Sequence, residues 1–148
     1  MRKLPIVFLW NLATILLLPS LCFAVETALT VTELSETAII APFENADNAN
    51  GNSYQNRTAD ASILLLLPVG SAGTATVTIT AQNTVNPNVP GWGPLTKADI
   101  VVALNVGEQK LLGPLAVNAW NDSNGDVIIS YAGTGAADVD VAVVRANP

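Results

Sequence analysis

The residues best suited to chemistry are three oxygen donors in one short polar segment. Asp122, Asn124 and Asp126 alternate along the chain, a spacing that lets side-chain oxygens converge on a hard cation such as calcium. The glycine of this segment, Gly125, stands at its fourth position rather than its sixth, and no glutamate follows where a closing ligand is needed. An Asn-Gly pair between apolar stretches is also a strong hairpin signal. The pattern therefore favours a turn and leaves calcium binding as the alternative.

The composition excludes the common nucleophile systems of enzymes. The chain has no histidine, and its one cysteine is Cys22. Ser-His-Asp and Cys-His systems need an imidazole, and zinc sites are usually built from His and Cys. A pair of carboxylates acting as acid and base remains, but a chain with twelve acidic residues always contains some pair. We therefore expect no enzyme and no cofactor, apart from the calcium alternative.

Two tryptophans offer a second kind of ligand site. Trp92 lies in a segment rich in Pro and Gly, and Trp120 directly precedes the polar segment. Exposed aromatic rings can stack on sugars, although large aromatic side chains are more often anchors of a core or a loop. An extracellular module that binds calcium or a glycan is therefore the alternative function. Asn56-Arg57-Thr58 and Asn121-Asp122-Ser123 also match the glycosylation sequon.

Residues 1–24 have the three-part pattern of a secretory signal peptide. Arg2 and Lys3 precede an almost entirely apolar stretch, and Ala24 is the small residue before the expected cleavage. The apolar stretch is short for a bilayer span. We therefore expect a secreted protein, extracellular or periplasmic. An uncleaved membrane anchor and a lipid-modified Cys22 are the alternatives.

The mature chain is acidic and has no cysteine. Removal of residues 1–24 leaves four cationic residues and twelve carboxylates, a net charge of −8. Nucleic acid and anionic membrane surfaces are poor partners for such a chain, because both require a basic surface. Without disulfides, the domain must be stabilised by packing alone. Its 124 residues are enough for one core of ordinary size.

The mature sequence, residues 25–148, predicts a single all-β domain. Strict alternation of apolar and polar residues is typical of a half-buried strand, and several segments show it or are rich in β-branched residues. About eight short strands separated by Gly, Pro and Asn predict one antiparallel β-sandwich, jelly-roll-like in form. The strand candidates are 27–33, 37–43, 73–81, 99–105, 126–131 and 138–143, in addition to the segment described next.

One predicted strand is apolar on both faces. It consists of Ile63, Leu64, Leu65, Leu66 and Leu67, and it ends at Pro68. Such a strand can be central in a sheet, with a loop over its outer side. Alternatively, another subunit covers that side, since contiguous exposed apolar surface tends to mark an interface. These five residues are the candidate interface of the chain.

From Asp99 onward, the order of features resembles a known family. A β-branched strand from Asp99 is followed by Gly107-Glu108 and then by Lys110-Leu-Leu-Gly-Pro114; next come Trp120-Asn121-Asp122, Gly125-Asp126-Val127 and Ser130-Tyr131, and finally the Val-rich strand that ends at Arg145. Small structural proteins of bacteriophage heads, described as virion or head-decoration proteins, are similar. The earlier half of the mature chain fits the same order.

The resemblance implies a non-catalytic β-sandwich that binds copies of itself or a protein shell. The family implies no catalytic or cofactor residues. This chain differs in its secretion signal, because phage head proteins assemble in the cytoplasm. We therefore expect a secreted structural or assembly protein that acts through protein–protein contacts, by self-association or on a shell or surface protein.

Overall fold

The structure is a computed structural model that describes residues 25–35, 42–56, 60–82, 88–89, 93–94 and 97–146. The expected signal peptide, residues 1–24, lies outside the described residues. Most of the strand candidate 37–43 and Trp92 lie outside them as well. Within the described part of the chain, no helix is long and apolar enough to cross a membrane.

The described residues are predominantly β. They contain one four-residue helix, α1 (Val117–Trp120), and a 3-10 turn at Ala136–Asp138. The strands are β1 (Thr27–Ala28), β2 (Val31–Leu34), β3 (Glu44–Asn45), β4 (Asn52–Gln55), β5 (Ala61–Leu66), β6 (Ala75–Ile79), β7 (Asn88–Val89), β8 (Gly93–Pro94), β9 (Ile100–Leu104), β10 (Gln109–Leu115), β11 (Asp126–Ala132) and β12 (Asp140–Ala146). The all-β prediction is therefore confirmed.

Two mixed sheets contain ten of these strands. Sheet A has the order β1-β4-β11-β6-β9. Sheet B has the order β10-β5-β12-β2, and β3 pairs with the same strand β12. The prediction of a purely antiparallel arrangement is wrong at two places, because β1 runs parallel to β4 and β2 runs parallel to β12. Both parallel strands lie within residues 27–34, where a single strand, 27–33, was predicted; this segment instead supplies an edge strand to each sheet.

Alternating side chains explain why the longer strands form where they do. Ala75, Val77 and Ile79 of β6 are buried, whereas the threonines between them are only partly buried. In β11, Val127 and Ile129 are buried in the same way. Because successive side chains of a strand point to opposite faces, each strand turns an apolar face inward. The period-two patterns read from the sequence are confirmed in these strands.

The two sheets share one core. Apart from Asn52 of β4 and Ala142 of β12, the buried side chains of β4, β6 and β11 in sheet A and of β5 and β12 in sheet B belong to a single apolar cluster. Two short connections link edge strands of the two sheets: Leu29–Thr30 between β1 and β2, and the turn 105–108 between β9 and β10. In the second of these connections, the N–H of Glu108 donates to the carbonyl of Asn105 at 2.9 Å, and Gly107 has φ 80°, which favours glycine.

Candidate functional site

The polar segment 121–126 forms a tight turn that uses the Asp122 carboxylate for its own closure. Asp122 Oδ1 accepts the backbone N–H of Asn124 at 2.8 Å and that of Asp126 at 2.9 Å. Backbone bonds between residues 122 and 126 close the same turn, and Gly125 has φ 90°. Side-chain oxygens of Asp and Asn commonly bind nearby backbone N–H groups in this way. The turn prediction agrees with this geometry.

The calcium alternative gains little from the arrangement of these carboxylates. Among the described residues, no group of three or more His, Cys, Asp or Glu side chains is placed to hold a metal ion. One oxygen of this turn stands apart: Oδ1 of Asp126 is buried and has no hydrogen-bond partner in the described part of the chain. The turn brings Asp122, Asn124 and Asp126 close together, but Oδ1 of Asp122 already accepts two backbone N–H groups.

A substitution separates the two interpretations of this turn. Replacing Asp122 by alanine is expected to lower the free energy of unfolding by about 1 to 2 kcal/mol, because two turn N–H groups lose their acceptor. The loss should be equal in EDTA and in excess calcium, measured by urea denaturation of the mature domain. A stability difference that appears only with calcium would instead identify the turn as a cation site.

Trp120 is a core residue rather than an exposed stacking platform. It is the last residue of α1 and only 6% exposed, within the shared core. The Lys97 Nζ lies 3.8 Å from the centre of its ring, a cation–π distance. One face of the ring is therefore covered by this chain's own lysine, which contradicts the interpretation of Trp120 as an open glycan-stacking surface.

A pair of asparagine side chains next to the turn, Asn56 buried and Asn121 partly buried, was missed by the sequence analysis. Asn56 is completely buried, its Nδ2 donates to the carbonyl of Leu115 at 2.8 Å, and its Oδ1 accepts the N–H of Ala61 at 3.1 Å. Asn121 Nδ2 donates to the carbonyls of Asn56 and Gly125 at 2.7 and 3.1 Å. Together, the two amides link the end of β4 to β5, to β10 and to the turn before β11.

In the sequence analysis, Asn56 was named only as a sequon residue, and Asn121 as a sequon residue and as part of the family resemblance. In the folded domain the side-chain nitrogen of each is a hydrogen-bond donor to backbone carbonyls, and that of Asn56 is inaccessible. The amide nitrogen of Asn56 is therefore not presented for glycosylation after folding. The sequence gives little sign that Asn56 is buried, because an isolated asparagine in a polar segment is usually exposed.

Among the described residues, two carboxylates have clearly shifted pKa values, and both shifts are downward. The Thr27 hydroxyl at 2.7 Å, followed by the side chain and backbone N–H of Asn50, lowers the pKa of Asp47 to about 2. The backbone N–H of Asn105, followed by its side-chain amide and by Lys110, lowers the pKa of Glu108 to about 2. A general acid at neutral pH needs a raised carboxyl pKa. These two groups therefore stabilise turns as carboxylates.

Two buried tyrosines have the opposite kind of shift. Burial raises the pKa of Tyr54 and of Tyr131 far above the ordinary phenol range, and for Tyr131 the charge of Asp47 adds to the effect. Neither hydroxyl has a hydrogen-bond partner among the residues that the structure covers. Both phenols are therefore neutral at physiological pH.

The candidate interface strand divides into two faces. Ile63, Leu65 and Leu67 are completely buried in the shared core, whereas Leu64 and Leu66 point outward and are only partly buried. β5 is central in sheet B, with β10 on one side and β12 on the other. Its backbone edges are therefore paired, and only its outward side chains are available for contact.

These outward leucines belong to an apolar surface that crosses sheet B. Leu111 of β10 and Ala142 of β12 lie directly beside Leu64 in the register of the sheet. Leu111 is 63% exposed, and Val144 on the same face is partly buried. We call this surface the outer face of sheet B, defined by Leu64, Leu66, Leu111 and Val144; Ala142, on the same side of the sheet, is only 2% exposed. Sequence analysis identified its β5 leucines but not Leu111.

Comparisons with protein-family models, with curated proteins and with solved structures found no match for this chain.

Proposed function

We propose that this protein is a secreted, non-catalytic structural protein that assembles through protein–protein contacts. In this proposal, residues 1–24 are removed on export, and residues 25–148 form a jelly-roll-like β-sandwich related in role to phage head-decoration proteins. The observation that carries the proposal is the outer face of sheet B, where Leu64, Leu66 and Leu111 form a contiguous apolar surface on an acidic protein. A surface of this kind is characteristic of interfaces between proteins.

The contact is assigned to a second copy or to a protein shell rather than to a charged polymer. In the part of the chain that the structure describes, one charged residue, Asp140, lies at the margin of this face, beside Leu66. Apolar burial therefore supplies the attraction, and the excess negative charge elsewhere on the mature chain keeps the free protein soluble. Such a contact requires no cofactor.

A charge placed on the face tests the proposal. Leu111→Glu is expected to weaken self-association at least about tenfold, because a carboxylate would have to be desolvated at the contact. The fold should be unaffected, since the side chain at this position is largely in water. Sedimentation velocity of the purified mature domain, and pull-down of surface or shell proteins, measure the effect.

Val69→Glu is the matched control. Val69 is 87% exposed, lies in the turn after β5 and is not one of the residues that define the outer face of sheet B. Association should be unchanged in this variant. A mature domain that stays monomeric at high concentration and captures no protein would refute the proposed function, and equal behaviour of Leu111→Glu and the native chain would remove this face from it.

A further inference from the structure

Among the described residues, β9 is an edge strand of sheet A, and apart from one lysine contact its outward backbone groups have no hydrogen-bond partner there. The N–H of Thr80 donates to the carbonyl of Ile128, so the even-numbered residues of β6 turn their backbone groups towards β11. The odd-numbered residues of β6 therefore bond to β9, and their register partners there are Ile100, Val102 and Leu104. It follows that the N–H and C=O groups of Val101 and Ala103 point away from the sheet.

Two other contacts agree with this derivation. The N–H of Ala81, the next odd-numbered residue after β6, donates to the Asp99 carboxylate at 2.8 Å, on the side of β9. The Lys110 Nζ donates to the carbonyl of Ala103, as only an outward-pointing carbonyl would permit. Among the described residues, Lys110 is the one hydrogen-bond partner of the outward backbone groups of β9.

The other edge strands carry features that discourage pairing. β1 has two residues, and β2 carries Glu33, which is ion-paired to Arg145. β10 contains Pro114, which has no N–H, and its register with β5 is interrupted between Leu112 and Leu115. Short strands, charges, prolines and bulges are the usual ways in which proteins protect sheet edges.

β9 has none of these features within its own span. All five of its residues are apolar, and Val101 is 64% exposed on the outer side of sheet A. The charges near its ends balance, with Lys97 and Asp99 before it and Glu108 and Lys110 after it. In an antiparallel dimer, Lys97 and Asp99 of one copy lie beside Glu108 and Lys110 of the other. This arrangement avoids the like-charge repulsion expected elsewhere on residues 25–148, whose net charge is −8.

We propose that β9 pairs antiparallel with β9 of a second copy of this chain, joining two A sheets into one continuous sheet. Around a two-fold axis at Val102, the outward N–H and C=O groups of Val101 meet those of Ala103 of the partner subunit, and the reverse pair forms as well. A valine then lies opposite an alanine on the outer side. This inference rests on the proposed assembly function and names a contact for it that is separate from the outer face of sheet B.

Lys110 acts as a competitor in this arrangement. Its Nζ occupies the carbonyl of Ala103 in the free chain and is held 3.1 Å from Glu108 Oε2. Pairing with a second copy replaces that lysine with a backbone N–H. Dimerisation must therefore displace Lys110 from the Ala103 carbonyl. We expect a weak dimer for this reason, with a dissociation constant on the order of 100 µM.

Two substitutions with opposite expected effects test the pairing. Ala103→Pro removes an outward N–H and leaves the bonds between β6 and β9 intact, so it should weaken the dimer at least about tenfold. Lys110→Met keeps the aliphatic stem and removes the competing donor, so it should tighten the dimer by about three- to tenfold. Sedimentation velocity from about 10 µM to about 1 mM covers the expected range.

Amide hydrogen exchange of the unaltered mature domain tests the same pairing without relying on the folding of Ala103→Pro. The amides of Val101 and Ala103 should exchange with solvent more slowly as protein concentration rises, while the amide of Val102 is protected at every concentration. Absence of any concentration dependence up to about 1 mM would overturn the edge pairing. A dimer that is lost in Leu111→Glu but retained in Ala103→Pro and unchanged in Lys110→Met would also overturn it, and would leave the proposed assembly function in place.

Discussion

Replacing Asn56 by alanine is expected to lower the free energy of unfolding by about 3 kcal/mol, one of the largest effects of any single polar substitution in this chain. The substitution leaves the carbonyl of Leu115 and the N–H of Ala61 without their partner in a region closed to water. Each buried group that loses its hydrogen bond costs about 1 to 3 kcal/mol. Urea denaturation of the mature domain, followed by tryptophan fluorescence and circular dichroism, measures the loss.

Asn48→Ala is the matched control for this prediction. Asn48 is exposed in the turn between β3 and β4, so its replacement should change stability by no more than about 0.5 kcal/mol. Asn56→Asp adds a second comparison, because it preserves the shape but replaces the donor to Leu115 with an acceptor. We expect it to be at least as destabilising as alanine at neutral pH. Equal stability of the Asn48 and Asn56 variants would mean that water reaches the buried amide.

A second buried amide, that of Asn52, explains why β4 was not predicted. Its residues follow an Asn-rich segment whose composition favours an irregular loop, and the strand itself carries Asn, Ser and Gln. Asn52 is nevertheless completely buried, with its Oδ1 accepting the N–H of Asp47 and its Nδ2 donating to the carbonyl of Thr27. Polar side chains that bond to the backbone of distant segments are tolerated inside, but their partners cannot be read from local sequence.

The strands that were predicted correctly have a local physical cause. In β6 and β11 the alternation of side chains alone determines which face is buried, so the pattern is visible without knowledge of the partners. The parallel pairing of β1 with β4 and of β2 with β12 has no such signal in the sequence. It depends on the chain passing from one sheet to the other at Leu29 and Thr30, and that crossing becomes apparent only when both sheets are present.

The candidate site shows the same division between local and non-local information. The turn at 122–126 was predictable, because Asn-Gly chemistry is local. The commitment of Asp122 to two backbone N–H groups, the burial of Trp120 and the placement of Leu111 beside Leu64 all depend on packing between segments. The leucine-rich strand was recognised as unusual, but its two faces have different environments that the sequence does not distinguish.

Replacing Leu65 by alanine is expected to lower the free energy of unfolding by about 3 to 4 kcal/mol, because it removes a completely buried side chain from the centre of the core. Leu65 is paired on both sides, with Lys110 of β10 and Val141 of β12, so the backbone around it has little freedom to collapse into the cavity. The same substitution at the adjacent Leu64 should cost less than about 1.5 kcal/mol, since that side chain is only partly buried. Urea denaturation measures both values.

The difference between these two leucines bears directly on assembly. If Leu64 packed against its own chain as fully as Leu65, both alanine variants would lose similar stability in the monomer, and the outer face of sheet B would be an ordinary part of the core. If Leu64 faces a partner instead, Leu64→Ala should cost the monomer much less stability than Leu65→Ala and should weaken association in step with Leu111→Glu. The two alanine variants therefore separate the leucines of β5 that stabilise the fold from those that can bind a partner. The free energy of unfolding reports on the first set, and the association constant reports on the second.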